Sequence, residues 1–243
     1  MHVRTYGNDG TVRCRVCQDR AREEESEKLR TEEQRQAEEL VTLLPHHIEH
    51  VLPLLGVPRR NQANTLENFR GDKPEIRPGL ITGPTGTGKT HLAIGYMRRE
   101  IRERFAKACL DRQVKAGSTL PQYRDALTKA AEECLFVSAL EFTWEMRRAI
   151  RTNNDDEVMD KFCQAPFLVL DDFGAERPTE WTLECLGKLV YTRHADMSDT
   201  LITSNLNLEE IGAAFNNRIM SRVAEFGTWM ALEGKNARLE GMQ

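Results

Sequence analysis

Gly83-Pro84-Thr85-Gly86-Thr87-Gly88-Lys89-Thr90 is a glycine, four further residues, then Gly-Lys-Thr, set between an apolar Leu-Ile-Thr run and a helical stretch that continues through Met97. Strand, glycine-rich loop and helix start, in that order, are what a triphosphate cradle requires. Glycines let successive backbone N–H groups turn toward phosphate oxygens, and the helix start adds about half a positive charge. In such a loop Lys89 reaches the β and γ phosphates, and the Thr90 hydroxyl is offered to Mg2+. Gly83, Pro84, Thr85, Gly86, Thr87 and Gly88 make the binding turn; the side chains of Thr85 and Thr87 fill variable positions and carry no assigned chemistry.

A metal held against a triphosphate needs carboxylates on a neighbouring strand. Phe167-Leu168-Val169-Leu170-Asp171-Asp172 supplies two, at the carboxyl end of an apolar run, where ligands bind in parallel sheets. Asp171 is read as the metal-coordinating carboxylate, acting through water, and Asp172 as the group that orients or deprotonates the attacking water. The alternative is that both acids cap the following helix. Thr203-Ser204-Asn205 ends another short strand, so Asn205 is the candidate amide between the γ phosphate and the lytic water, or a turn or cap residue. Arg218 and Arg222 stand four apart on one helix face. They are either surface partners of acids such as Glu225 or, beside a phosphate loop with no obvious arginine of its own chain to complete it, a finger donated to a neighbouring subunit.

These residues need a scaffold that gathers strand ends. Short apolar segments alternate with longer helical ones: a strand Gly-Leu-Ile-Thr at 79–82, helices from Lys89 to about Val114 and from about Pro121 to Glu133, and a strand at 135–139. A helix ending near Arg151 follows, then a polar loop or cap from Asn153 to Glu157 and a buried strand over 165–170. A helix over 179–194, a strand at 200–203 and a helix over about 212–225 complete the pattern. Such alternation marks an α/β fold, an open parallel sheet between helices. The chain has 243 residues, room for one such core and a small appendage.

The appendage precedes the body. From Asp19 to about Leu44 the chain has no Pro or Gly and should be helical; residues 19–40 carry nine acids against five bases, a net charge of −4. That equals the net charge of the whole chain, so the remainder balances and any nucleic-acid contact must come from a local patch. Pro45 stops this helix, and a second short helical piece follows, broken at Pro53 and closed by a turn over Gly56–Pro58. No apolar run reaches the 18 residues of a membrane span, and the amino terminus has no apolar leader, so a cytoplasmic location is expected. Cys14 and Cys17 form a Cys-x-x-Cys pair. It is a zinc half-site needing two more ligands from His46, His47 and His50, a pair of inert thiols, or a disulfide. Cys109, Cys134, Cys163 and Cys185 read as packing residues.

In the stretches 83–95, 167–181, 201–212 and 217–223, with the leader at 55–69, the chain resembles the bacterial replicative-helicase loader ATPases of the DnaC and DnaI type. These are AAA+ proteins related to IstB-like transposition ATPases. The likeness covers roughly residues 52–233. It implies an AAA+ P-loop core over 52–243 with no separate carboxyl-terminal lid, a helical insertion near 107–133, and a partner-binding extension over 1–51. It also implies a Mg2+-dependent ATPase, with ATP as the nucleotide, that binds single-stranded DNA and delivers a hexameric DnaB-type replicative helicase during DNA replication. By the same likeness the chain assembles with copies of itself through its ATP sites, Arg222 being the finger and Arg218 its companion. DNA would meet Thr179 and Trp181, with Arg148 and Arg151 on the preceding helix touching phosphate; Trp181 is otherwise a half-buried core residue. In some relatives a metal-bound cysteine set in the extension grips the helicase, whereas here one pair is present. The competing reading is a transposition helper that remodels target DNA and recruits a transposase. An acidic arm is poorly suited to duplex phosphates and favours a protein partner, hence a loader.

Overall fold

The computed structural model describes residues 4–6, 12–14, 20, 22–25, 27–28, 45–71, 79–112, 114, 118, 120–175 and 179–234. The body is a parallel sheet of β3 (Gly79–Thr82), β4 (Cys134–Ser138), β5 (Phe167–Phe173), β6 (Asp199–Ser204) and β7 (Thr228–Ala231), in the order β4-β5-β6-β3-β7. Strand alternation sends successive side chains to opposite faces, and both faces are apolar. Ile81, Phe136, Phe167, Val169 and Leu201 enter one buried cluster, while Leu80, Val137, Leu168, Leu170 and Ile202 enter the other. This two-sided burial is why the strands read as unbroken apolar runs.

The first face is covered by α1 (Pro45–Val51), α2 (Lys89–Asp111) and α3 (Leu120–Glu132). The second is covered by α4 (Ala139–Arg151), α5 (Asp155–Gln164), α6 (Glu180–Ala195), α7 (Leu208–Ala214) and α8 (Asn217–Glu225). The expected insertion is α3 with the distal turns of α2. Its buried residues Ala108, Ala126, Leu127 and Ala130 share one cluster with Ile48 and Val51 of α1. α3 and the end of α2 thus pack in one buried cluster with α1. Ile48 and Val51 precede the expected domain boundary at residue 52, yet they are buried in the body's core.

Several expected elements shift. The strand at 135–139 ends at Ser138, because Ser138 caps α4: its hydroxyl accepts from Glu141 N–H, and the Glu141 side chain returns to the Ser138 N–H, a capping box. The stretch expected as a polar loop or cap over Asn153–Glu157 holds the N-cap of α5, Asn154, and the helix already begins at Asp155. Three acids in its first turn suit a helix start, and Met159, Phe162 and Cys163 give it a buried stripe. The strand expected over 165–170 begins at Phe167 and carries Asp171 and Asp172 within it. The helix expected over 212–225 is two, α7 and α8, divided at Asn216, whose side chain caps α8 by accepting from Ile219 N–H at 2.9 Å. Two features were not anticipated: edge strand β7, and an antiparallel pair of β1 (Arg4–Tyr6) with β2 (Val12–Cys14). Of the long helix expected over Asp19–Leu44, residues 20, 22–25, 27 and 28 are helical; the rest lies outside the described residues. Among the described residues no helix is long and apolar enough to cross a membrane.

Arg193 of α6 is fully buried and holds the second layer to the sheet. Its guanidinium donates to the carbonyls of Phe162, Cys163 and Ala165 at the end of α5, and to Asp199 O and Thr200 Oγ1 at the start of β6. Helix-end carbonyls have no intrahelical partner, so the arginine satisfies groups that would otherwise be stranded. Burial lowers its pKa to about 10, which still leaves it charged at neutral pH. Arg193→Met should lower unfolding free energy by about 3 kcal/mol or more in urea titrations, since several buried carbonyls lose their donor. A loss below about 1 kcal/mol, the scale of a single net hydrogen bond, would show that water replaces it.

Candidate functional site

The turn from β3 to α2 contains the phosphate-loop sequence. Gly83 has a φ of 146° and Gly88 a φ of 93°, a region that side chains other than glycine rarely adopt. Neither has room for a side chain: a Cβ on Gly83 would stand 2.3 Å from Leu232 O, and one on Gly88 2.7 Å from the Phe69 ring. Phe69 belongs to the leader, which is clamped on the start of α2. The His91 Nε2 lies 2.9 Å from Thr65 O and 2.7 Å from Asn68 Oδ1, and its ring meets Phe69 edge to face. The Thr87 hydroxyl donates to Pro84 O at 2.9 Å and stiffens the loop.

Lys89 is buried, and its ammonium donates to Gly83 O at 2.8 Å and Pro84 O at 2.9 Å. The charge is therefore held in the concavity of the loop. Thr90 Oγ1 lies 2.9 and 3.1 Å from the two carboxylate oxygens of Asp171, which links α2 to the end of β5. Asp171 is itself buried and accepts from Thr203 Oγ1 at 2.6 Å. Burial pushes its carboxyl up to about 6; the bonds from Thr203 and Thr90 and the charge of Lys89 oppose that rise, and the charge of Asp172 adds to it. Asp172 is half-buried with a φ of 54°. At the end of β6, Asn205 faces the loop: Thr85 Oγ1 is 3.5 Å from its Oδ1. The sheet order makes this convergence possible, since β6 lies between β5 and β3 and the three carboxyl ends open on one crevice. The site combines a cationic glycine loop with hard oxygen donors, a set able to hold a polyphosphate with a divalent cation.

Arg218 and Arg222 lie on α8. Arg218 is exposed, while Arg222 stacks its guanidinium 4.0 Å from the centroid of Tyr191 on α6 and donates to Arg218 O. The alternative, a close ion pair with Glu225, is not made among the described residues; Glu225 accepts from His194 and Ser221, and Arg222 acts on it at longer range.

Arg148 and Arg151 are exposed on α4. Thr179 caps α6, its hydroxyl accepting from Thr182 N–H at 3.2 Å. Trp181 is half-buried against the second core cluster, and Arg147 lies 4.9 Å over its ring. The exposed aromatic of this region is Trp144, which was not singled out from the sequence. It is 59% exposed, on the α4 face shared by Leu140, Arg148 and Arg151, opposite the buried Phe142, Met146 and Ala149. Its spacing of four from Leu140 and from Arg148 was the available signal.

Among the described residues no cluster of three or more His, Cys, Asp or Glu side chains is placed to hold a metal ion. Cys17 lies outside the described residues, as do the side chains of Cys14, His46 and His47. Cys109, Cys134, Cys163 and Cys185 are buried free thiols, with burial raising the pKa of each.

No protein-family model matches the chain. It is 26% identical over 117 residues to the replicative helicase loader DnaI of Bacillus subtilis, a match covering 43% of this chain. The chain spans 38% of the length of that relative. Among solved structures, AMPPCP-bound DnaA from Aquifex aeolicus is similar with a TM-score of 0.52 and 19% identity, over 74% of this chain and 53% of that one. The DnaC helicase loader is similar with a TM-score of 0.48 and 18% identity, over 68% of this chain and 82% of that one. The fold is a mixed α/β core with its parallel sheet between helices, shared with that DnaA structure.

Proposed function

We propose that the chain is an ATP-driven loader that binds single-stranded DNA and delivers a hexameric replicative helicase to it. The observation that carries the ATPase part is the joining of the loop to the acidic strand: Thr90 bonded to Asp171, with Lys89 in the loop interior. Lys89 would exchange its two loop carbonyls for phosphate oxygens. Thr90 and Asp171, both oxygen donors, would hold Mg2+, which when bound neutralises charge on the β and γ phosphates. Asp172 would accept a proton from, or orient, the attacking water, and Asn205 would fix that water from the other side. Arg222, steadied on Tyr191, would supply positive charge to a neighbouring subunit's γ phosphate, with Arg218 beside it. The likeness to DnaI supports the loader reading, and the acidic arm of residues 19–40 suits a protein partner such as the helicase better than duplex DNA.

The DNA surface is the outward face of α4 together with the start of α6. Trp144 offers a free ring face between Leu140 and the cations Arg148 and Arg151, the combination on which unpaired bases stack. Thr179 and Trp181 border it, and Arg147 spans from α4 to Trp181. The test uses the whole chain with ATP, a labelled oligonucleotide and a hexameric replicative helicase. The unmodified chain should bind the strand and raise helicase occupancy on it. Trp144→Ala should weaken strand affinity by about 1–3 kcal/mol with little sequence bias and leave the melting temperature unchanged. Trp181→Ala should lower melting temperature because it opens the core. Unaltered affinity in Trp144→Ala would remove this face from the DNA site, and failure to raise helicase occupancy would overturn the loader reading.

A further inference from the structure

The two acids at the end of β5 do not lie in a regular strand. β5 and β6 pair in parallel register from Phe167 with Asp199 through Leu170 with Ile202, and pairing resumes at Phe173 with Ser204. Asp171 and Asp172 therefore face one residue, Thr203. A bulge of this kind leaves a backbone group outside the ladder and re-aims the side chain beside it. Asp172 accordingly has its left-handed φ of 54°, a conformation that persists in a non-glycine residue only where its surroundings impose it.

Thr203 supplies that constraint. Its hydroxyl oxygen accepts from the Asp172 N–H at 3.0 Å, while its hydrogen is given to Asp171 Oδ1 at 2.6 Å. The side chain is fully buried, so no water substitutes for either bond without a change in packing. One hydroxyl thus ties the carboxylate assigned to the metal to the backbone of the residue assigned to the water. It also lies two positions before Asn205, on the same strand end.

We propose that Thr203 is a positioning residue for hydrolysis: its hydroxyl holds the β5 bulge in the form that aims Asp172 at the attacking water. This role rests on the ATPase reading above. Valine at 203 would keep the branched shape but leave the Asp172 N–H unpaired and withdraw a donor from Asp171, so the bulge would lose the contact that fixes it.

The test compares ATP turnover and binding of a fluorescent ATP analogue by the unmodified chain, Thr203→Val and Thr203→Ser, each also combined with Asp172→Asn. Thr203→Val should lower kcat by about 10- to 100-fold, the usual cost of losing a supporting hydrogen bond in such a site, with analogue affinity little changed. Thr203→Ser keeps the hydroxyl and should restore most of the rate. On the Asp172→Asn background Thr203→Val should cost much less, because the part of its effect that runs through Asp172 is already lost. A wild-type kcat in Thr203→Val, or the same fold-loss on the Asp172→Asn background, would overturn the role. So would a Thr203→Val chain that fails to fold, since the hydroxyl would then serve the fold. Absence of Lys89-dependent turnover in the unmodified chain is a separate result, which would sink the ATPase reading itself.

Discussion

Lys89→Ala is expected to reduce ATP turnover by about a hundredfold to a thousandfold, the scale on which one preorganised charge-stabilising group acts at a reacting centre. The effect should be this large because of where the ammonium is held. It is buried and confined to the loop by two of its carbonyls, so little side-chain freedom remains to be lost when it exchanges them for phosphate oxygens. Alanine removes the charge and leaves the helix intact, since alanine is the best helix former. Nucleotide binding should fall with turnover, because the lysine contacts the phosphates in the ground state as well. Phosphate release and binding of a fluorescent analogue measure the two, with circular dichroism to establish that the α/β core is retained. Turnover equal to that of the unmodified chain would reject the phosphate assignment of the loop.

Asp172→Asn should separate the two quantities. ATP binding should persist while hydrolysis falls by about a hundredfold or more, within the range for loss of a general base or water-orienting carboxylate. Asparagine suits this test for a conformational reason. The residue has a φ of 54°, and Asn tolerates the left-handed region as Asp does, so the backbone and its bond to Thr203 should survive. Asp171 keeps its bonds to Thr90 and Thr203, hence its place beside the phosphate loop. Parallel loss of binding and turnover would assign Asp172 to the cation instead of the water.

Much of this arrangement was legible in the chain itself, for local reasons. The phosphate loop declares itself because its glycines, lysine and threonine are consecutive, and because a strand must precede it and a helix follow. The strand ending in Asp171 and Asp172 declares itself because burial on both faces demands an unbroken apolar run. Where local signals were weak the reading slipped. α5 has only ten residues and follows a polar stretch that also suits a loop. β7 has four residues, three of them exposed; its apolar Trp229-Met230-Ala231 is too short to declare a strand by itself, and it is a strand because β3 offers it a free edge.

By itself, then, the sequence determined the chemistry available at the site and the α/β alternation that carries it, since both depend on neighbours a few residues apart. Only the tertiary structure decided which groups meet. The Thr90–Asp171 bond joins residues 81 positions apart, and the Thr203–Asp171 bond residues 32 apart. Thr203, Arg193 and Trp144 look ordinary in the chain. The first two act through bonds to other elements, and the third is exposed because the opposite face of its helix is the one the sheet buries. No local pattern encodes those partners, because strand order and helix packing set them once the whole core has closed.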